Sequence, residues 1–350
     1  MRRDRAWEAV RFFFADRRHA DAGVADAERR EVALHGARAP GADIEWVRSH
    51  FLHHNKESYL VIPNLYSCDP ANKAESQRAL AMNQLAGADP DAKGRRAEIL
   101  LELADTQLTA KQSADAARTY EALLTEKLLP ERTEETLQRL VAALHLAGDL
   151  QGSDNRITEF TQKFPQSPLL PLVQFRGAEN QFARAEAFVK QNNPGEAKKA
   201  FAAAAKKYEA VVAKFPEFER AARARYGLAL CHVAAEDWEK AAAEFERIPG
   251  PDRTGDLAAA SYLLADCYLR TAPAKADDAL QDNMLREKLG KAADLLDSFV
   301  AANPKAPETA DAVLKFGYCQ KRLGVQLAPG NERNDAFNKA RAAFERVGRE

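Results

Sequence analysis

Three histidines near the N-terminus have the spacing of a metal site. His50, His53 and His54 stand at positions i, i+3 and i+4, so in a helix all three imidazoles project from one face. Imidazoles grouped in this way can share a zinc ion, and a zinc ion with an open position can hydrolyse a substrate. No carboxylate beside them is identifiable as an acid or base. A solvated or half-buried helix end is therefore the favoured interpretation, and we predict no metal site and no cofactor.

Cysteine chemistry is the second possibility. Cys231 precedes His232, but adjacent residues of a helix point about 100° apart and do not easily bond to each other. The chain lacks a C-x-x-C pair, a phosphate-binding glycine loop and the common hydrolase motifs. Three of its four cysteines lie in apolar stretches and are expected to pack as small hydrophobic side chains (Cys231, Cys267 and Cys319; the fourth is Cys68). We predict that the chain is not an enzyme.

The composition indicates an all-α protein. Alanine supplies much of the apolar content, and Ala, Glu, Lys and Arg all favour helix. The 51 basic and 52 acidic residues nearly cancel, which leaves no field to attract nucleic acid. No run approaches the roughly 20 apolar residues that span a bilayer, and the N-terminal segment is too charged for a signal peptide. We therefore expect neither nucleic-acid binding nor direct membrane insertion.

One pattern recurs along the chain: a small residue, a large apolar residue four positions later and another three positions after that. Spacings of four and three place these side chains on one face of a helix. A proline usually follows and ends the helix. The pattern occurs six times (Ala116-Tyr120-Leu123, Ser153-Ile157-Phe160, Ala204-Tyr208-Val211, Ala241-Phe245-Ile248, Ala292-Leu296-Phe299 and Ala340-Phe344-Val347).

Each of these segments follows another apolar helical stretch, and several of those stretches contain glycine. Gly177, Gly227 and Gly317 are the examples. Glycine inside a helix costs about 1 kcal/mol relative to alanine, so it usually has a packing reason. We predict that these glycines allow close contact with the partner helix.

The glycine-containing first helix, the small-x3-aromatic second helix and the final proline resemble the tetratricopeptide repeat, and Asp237–Phe245 is the most typical stretch. The resemblance spans roughly residues 95–350. It departs from the family's 34-residue period, because the small residues lie 37, 51, 37, 51 and 48 positions apart. Three proline phrases, around Pro165, Pro216 and Pro304, resemble bacterial cell-envelope members of the family. These include Tol-Pal-associated periplasmic proteins and the lipoprotein of outer-membrane barrel assembly.

The resemblance implies an all-α fold, a right-handed α-α superhelix of antiparallel helix pairs. We predict about six such pairs over residues 91–350, continuing beyond the C-terminus if the chain is part of a longer protein, since no polar capping helix is evident. Residues 1–90 are predicted to be mostly helical, as degenerate repeats or as part of another domain.

The resemblance also implies a protein-protein interaction scaffold that holds a partner peptide or helix on its concave face. In the family the first helix of each pair lines that face. The glycine register then gives six partner-binding candidates (Gln174, Gln181, His232, Tyr318, Lys321 and Arg322). The alternative is a regulatory or targeting array of a larger protein whose catalytic domain lies elsewhere. The sequence leaves open the partner, the oligomeric state, and whether the compartment is the cell envelope or the cytoplasm.

Overall fold

The computed structural model describes residues 90–275 and 278–348. Within these ranges the chain forms twelve α-helices and three short 3₁₀ turns, and no β-strand. The helices are α1 (Pro90–Thr109), α2 (Ser113–Thr125), α3 (Thr133–Leu146), α4 (Leu150–Lys163), α5 (Leu170–Lys190), α6 (Pro194–Lys214), α7 (Ala221–Ala234), α8 (Trp238–Glu246), α9 (Ala259–Thr271), α10 (Ala279–Ala302), α11 (Thr309–Gln326) and α12 (Asn331–Val347). The predicted fold class, an all-α array of paired helices, is confirmed. The histidine cluster at residues 50–54 lies outside the described residues, and the predicted division near residue 90 stays a prediction.

The described helices belong to two compact units that divide inside α5, after Asn180. In the first unit, α1 to α4 pack against one another in chain order. In the second unit, each helix from α6 to α12 packs against the next. Three-residue turns join α1 to α2, α3 to α4 and α7 to α8, so the two helices of each of these pairs run antiparallel. No helix in the described ranges combines the length and apolarity needed to cross a bilayer.

The second helix of each pair buries the repeated pattern. In all six segments the small residue is at most 3% exposed. A small side chain at this point lets the neighbouring helix approach closely, and the large residue one turn later fills the space beside it. The large residue is buried in four segments, whereas Ile157 and Phe344 are half-buried.

Four of the turns between a first and a second helix share one backbone geometry. The residue before the second helix's N-cap has a positive φ in each case (Lys111, 60°; Gly148, 84°; Asn192, 56°; Glu236, 61°). The N–H of the next residue donates to the carbonyl five positions earlier, as Asp237 does to His232 at 2.9 Å, a bond that satisfies the first helix's end. Asp149, Asn193 and Asp237 also cap the following helix through their side chains. These turns fix the register of the four helix pairs that contain them.

Two glycines of the first helices lie directly under aromatic rings. A Cβ at Gly227 would come within 2.6 Å of Cζ of Tyr208, and a Cβ at Gly317 within 2.7 Å of Cε1 of Phe344. Phe344 belongs to α12, the partner helix of α11, as predicted. Tyr208 belongs instead to α6, the helix before α7. The same device therefore joins two helices of one pair at Gly317 and two successive pairs at Gly227.

Candidate partner-binding surface

A lysine ties the first helix α11 to the preceding first helix, α9. Nζ of Lys315 lies 2.7 Å from Oδ1 of Asp266 and 2.9 Å from Oδ2 of Asp311. It also donates a hydrogen bond of 2.8 Å to the hydroxyl of Tyr262 and lies over that ring, 4.4 Å from its centroid. The Tyr262 hydroxyl in turn donates to Asp311 at 2.6 Å. The Lys315 ammonium and the Tyr262 hydroxyl are therefore both bonded within the protein.

The cluster holds its charges in place. Burial alone would raise the pKa of Asp266, but Lys315 and Arg270 outweigh it and keep that pKa below its ordinary value. Burial alone would lower the pKa of Lys315, but Asp266, Tyr262 and Asp311 raise it above its ordinary value. Burial raises the pKa of the Tyr262 hydroxyl. The site is thus ionised and self-neutralised near neutral pH, which suits a structural lock better than acid-base chemistry.

On its other side, Asp266 is linked to the preceding helix pair. Arg270 donates to Oδ2 of Asp266 at 2.6 Å, and its guanidinium lies 4.2 Å from the ring centroid of Trp238 at the start of α8. A guanidinium over an indole gains electrostatic attraction to the ring face. The chain of contacts from Trp238 to Lys315 therefore connects three successive helix pairs.

Polar bonds also join successive first helices in the unit that ends at Asn180. Asp105 of α1 accepts hydrogen bonds from Arg139 of α3 and from the hydroxyl of Tyr120. Between α3 and α5, Nδ1 of His145 lies 2.7 Å from Oδ1 of Asn180. The Asn180 amide donates onward to Ser153 and Asp154 of α4. Such bonds fix the spacing of the first helices.

The last described first helix exposes a mixed apolar and cationic stripe. Tyr318, Lys321, Arg322 and Val325 stand at i, i+3, i+4 and i+7, so they share one face of α11. Tyr318 is 50% exposed and Val325 is 59% exposed. The Tyr318 ring packs edge-on against Phe344, with 5.4 Å between centroids. This contact holds the aromatic ring at the surface in a defined orientation. We call these four residues the α11 stripe.

A shallow depression of about 490 Å³ adjoins the stripe between α11 and α12. Its lining residues combine two aromatic rings with charged side chains (Lys321, Phe337, Ala340, Arg341, Phe344 and Glu345). Gly324 allows the Phe337 ring to lie against the α11 backbone, since a Cβ there would meet that ring at 3.0 Å. A wide, open hollow with an apolar floor suits a side chain of a partner protein better than a small-molecule substrate.

Cations also gather where α9, α10 and α11 meet. Arg322 donates to the carbonyl of Pro273 at 2.6 Å, and Lys288 donates to that of Thr271 at 3.1 Å. Arg286 donates to the carbonyl of Gln326 at 2.7 Å. Cationic groups at these carbonyls complement the partial negative charge at the C-terminal ends of α9 and α11.

The other predicted partner-binding residues lie in α5 and α7. Gln174 and Gln181 are half-buried on α5, and Oε1 of Gln181 accepts a hydrogen bond of 2.7 Å from Arg184. His232 is half-buried near the end of α7, where its carbonyl accepts the turn hydrogen bond from Asp237. Among the six predicted residues the structure therefore brings together Tyr318, Lys321 and Arg322. Their role in binding stays a prediction.

The three cysteines in the described ranges are buried thiols. Cys267 and Cys319 occupy the interiors of α9 and α11, and burial raises the pKa of each thiol to about 12. Cys231 is 2% exposed, below the surface occupied by His232. No three metal-ligating side chains gather anywhere in the described parts of the chain.

Sequence reasoning missed the Lys315 cluster. Tyr262 and Lys315 lie 53 positions apart and belong to different repeats, so local periodicity gave no signal for their contact. The available clue was Asp266, which lies in an apolar stretch just before Cys267, because a buried carboxylate needs a partner.

The paired helices, the glycine–aromatic contacts and the repeated turn geometry occur together around α5 to α8. Residues 182–256 match the tetratricopeptide repeat family model. The matched tetratricopeptide segment runs from Phe182 in α5 to the 3₁₀ turns after α8, and it contains Gly227, Tyr208 and Phe245. These are the positions at which the repeat pattern is most regular in the sequence.

No curated protein matches the chain. A solved structure described as "The hypoxic regulator of sterol synthesis Nro1 is a nuclear import adaptor" is similar at 11% sequence identity and a TM-score of 0.44. The match covers 78% of this chain and 94% of that one.

Proposed function

We propose that this chain is a protein-protein interaction scaffold that holds a partner segment against the first helices of its helix pairs, with the α11 stripe as the main contact. The observation that carries the proposal is the exposure of Tyr318 and Val325 beside Lys321 and Arg322. Aromatic and arginine side chains are enriched among the residues that dominate binding energy at protein interfaces.

The contrast with α9 supports this choice. On α9, the polar groups at Tyr262, Asp266 and Arg270 are bonded inside the protein. On the second half of α11, the Lys321 ammonium has no carboxylate within ion-pair distance among the described residues. The polar groups of α9 therefore hold neighbouring helices together, whereas the second half of α11 has polar groups available for a partner.

The tetratricopeptide match adds a second line of support. Repeats of this class generally act as non-catalytic interaction scaffolds, and the matched residues 182–256 lie in the same unit as the α11 stripe. The concave-face geometry and the envelope location are finer proposals. The envelope location rests on the proline phrases alone, and the regulatory-array alternative stays a prediction.

Site-specific photocrosslinking tests the proposed surface. A photoreactive phenylalanine analogue replaces Tyr318 in the protein expressed in its native cells, and crosslinked proteins are identified by mass spectrometry. The matched control carries the same analogue at Asp297, an exposed position of the second helix α10. We expect a small, reproducible set of partners from the Tyr318 position and none of them from Asp297.

A further variant links the crosslinks to the stripe. The Val325→Ser, Lys321→Glu double variant, carrying the same analogue at Tyr318, should no longer capture these partners in cells. The purified double variant should keep the thermal melting temperature of the parent protein. Equal capture from Tyr318 and Asp297, or unchanged capture in the double variant, would place binding elsewhere and overturn the proposal.

A further inference from the structure

Three cations around the end of α11 take no part in an ion pair with another described residue. Lys288, Lys321 and Arg322 have no carboxylate within ion-pair distance in the described parts of the chain. The nearby acids are already engaged: Asp282 pairs with Arg286 at 2.8 Å, and Asp278 caps α10 by accepting from Gln281. Glu287 pairs with Lys291 at 2.7 Å, and Glu345 pairs with Arg341 at 3.9 Å. Lys288, Lys321 and Arg322 therefore form a group of cations outside the described ion pairs of this region.

These cations are held in place. Arg322 and Lys288 donate to carbonyls of one loop, Thr271 and Pro273, which keeps them close together. A single carbonyl bond leaves other N–H groups of each cation available, since a guanidinium has five and an ammonium three. Fixing a cation before its ligand arrives lowers the entropy that binding must overcome.

The apolar neighbours decide what kind of anion fits. Val325 and Tyr318 are exposed one turn from Lys321 and Arg322 on the same helix face. A nucleic acid backbone or a free phosphate would pair with the cations but would not cover these apolar side chains. An acidic peptide that also carries an aliphatic or aromatic residue satisfies both, because its carboxylates pair with the cations and its apolar side chain covers Val325 or enters the depression at Phe337 and Phe344.

We infer that the α11 stripe, together with Lys288, selects an acidic partner segment that carries an apolar anchor. This inference rests on the proposed function, because it names the partner class of the same surface. The recognised groups are side-chain carboxylates within the segment. Binding is therefore salt-sensitive, since the charges lie at the rim of the contact and are screened by mobile ions.

Peptide selection on the purified full chain tests the inference. A random library of twelve-residue peptides is displayed with each C-terminus fused to the phage coat, so that only side-chain carboxylates are available. We expect the enriched peptides to be net negative, with a conserved aliphatic or aromatic position. Selection on the Lys288→Glu, Lys321→Glu double variant should lose this enrichment, while selection on Lys206→Glu, an exposed lysine of α6, should retain it.

A selected peptide is then titrated by fluorescence anisotropy. The double variant should bind about tenfold or more weakly, and the wild-type affinity should fall as salt rises. Enrichment of neutral or basic peptides, no enrichment at all, or equal binding by the double variant would overturn the inference. If Tyr318 still crosslinks to partners in cells in any of those cases, the scaffold survives and only its acidic selectivity fails. If the crosslinks are absent as well, both fail.

Discussion

The α7–α8 and α11–α12 pairs use the same local device in different surroundings. In both, a glycine of the first helix leaves room for an aromatic ring of a second helix. Tyr208, which covers Gly227, is 3% exposed, whereas Phe344, which covers Gly317, is half-buried beside the exposed Tyr318. The comparison teaches that the local pattern sets helix contacts, while the helices packed around it decide whether the ring becomes core or binding surface.

The largest effect should come from truncating a fully buried ring of the pattern. Phe245→Ala is expected to lower the free energy of unfolding by about 3–5 kcal/mol, because Phe245 is 0% exposed and its removal leaves a cavity. Phe344→Ala should lose only about 1–2 kcal/mol, since that ring is partly in water already. Urea unfolding followed by circular dichroism measures both. Equal losses would mean that the two pairs are packed alike.

Next in size is the lysine that joins α9 and α11. Lys315→Met removes the ammonium that neutralises buried Asp266, and we expect a loss of about 3 kcal/mol, because a buried charge is left with less compensation. The effect should be much smaller for Lys321→Met, an exposed lysine of the same helix. A similar cost for both variants would show that the cluster does not act as a lock.

The same cluster should give the protein a distinct acid response. The folded pKa of Asp266 is lowered from 3.8, so the unfolded state binds more protons around that pH and stability falls on acidification. Asp266→Asn should remove part of this fall as the pH drops below about 5. The raised pKa of Lys315 affects stability at alkaline pH instead. There the stabilisation is lost as the pH rises above 10.5 and through the pKa of the folded state. A variant as acid-sensitive as the wild type would contradict this assignment.

The smallest changes in stability are expected from replacing two helix glycines with alanine, one packed under a ring and one not. Gly227→Ala should cost about 1–3 kcal/mol, because the new methyl group overlaps the buried Tyr208 ring. Gly290→Ala should instead stabilise by about 0.5–1 kcal/mol, since no atom outside the local α10 backbone and the two adjacent residues lies within 4 Å of the added Cβ. Thermal melting of the two variants gives the signs directly. Stabilisation by both would mean that Gly227 has no packing role.

Much of the fold followed from the sequence because its signals are local. Spacings of four and three placed Ala241 and Phe245 on one face, and the structure buries both. Gly317 was expected to allow close contact with its partner helix, and it lies beneath Phe344 of α12. The neighbour of Gly227 could not be chosen in the same way, because helices on both sides of α7 offer an aromatic residue at the appropriate position.

The candidate surface was less accessible to sequence reasoning. The glycine register selected Tyr318, Lys321 and Arg322, but it could not distinguish an exposed cation from one bonded to a distant carbonyl. Arg322 reaches Pro273, 49 positions away. Lys288 was missed entirely, because its position near the α11 stripe depends on how α10 packs between α9 and α11. Which cations lie together, and what each one bonds to, depends on how the helices pack, and the sequence of a single helix does not show it.

The reaction rates of the buried cysteines can measure how often the helices unfold locally. Cys231, Cys267 and Cys319 lie inside three successive first helices, at 2%, 1% and 0% exposure. Burial raises the pKa of the thiols in α9 and α11 to about 12, so they stay protonated and unreactive at pH 7 while the helices remain packed. A thiol reagent therefore reads out how often each helix leaves its neighbours. The rates at the three positions would report, without any engineered label, whether these repeats open one at a time or together.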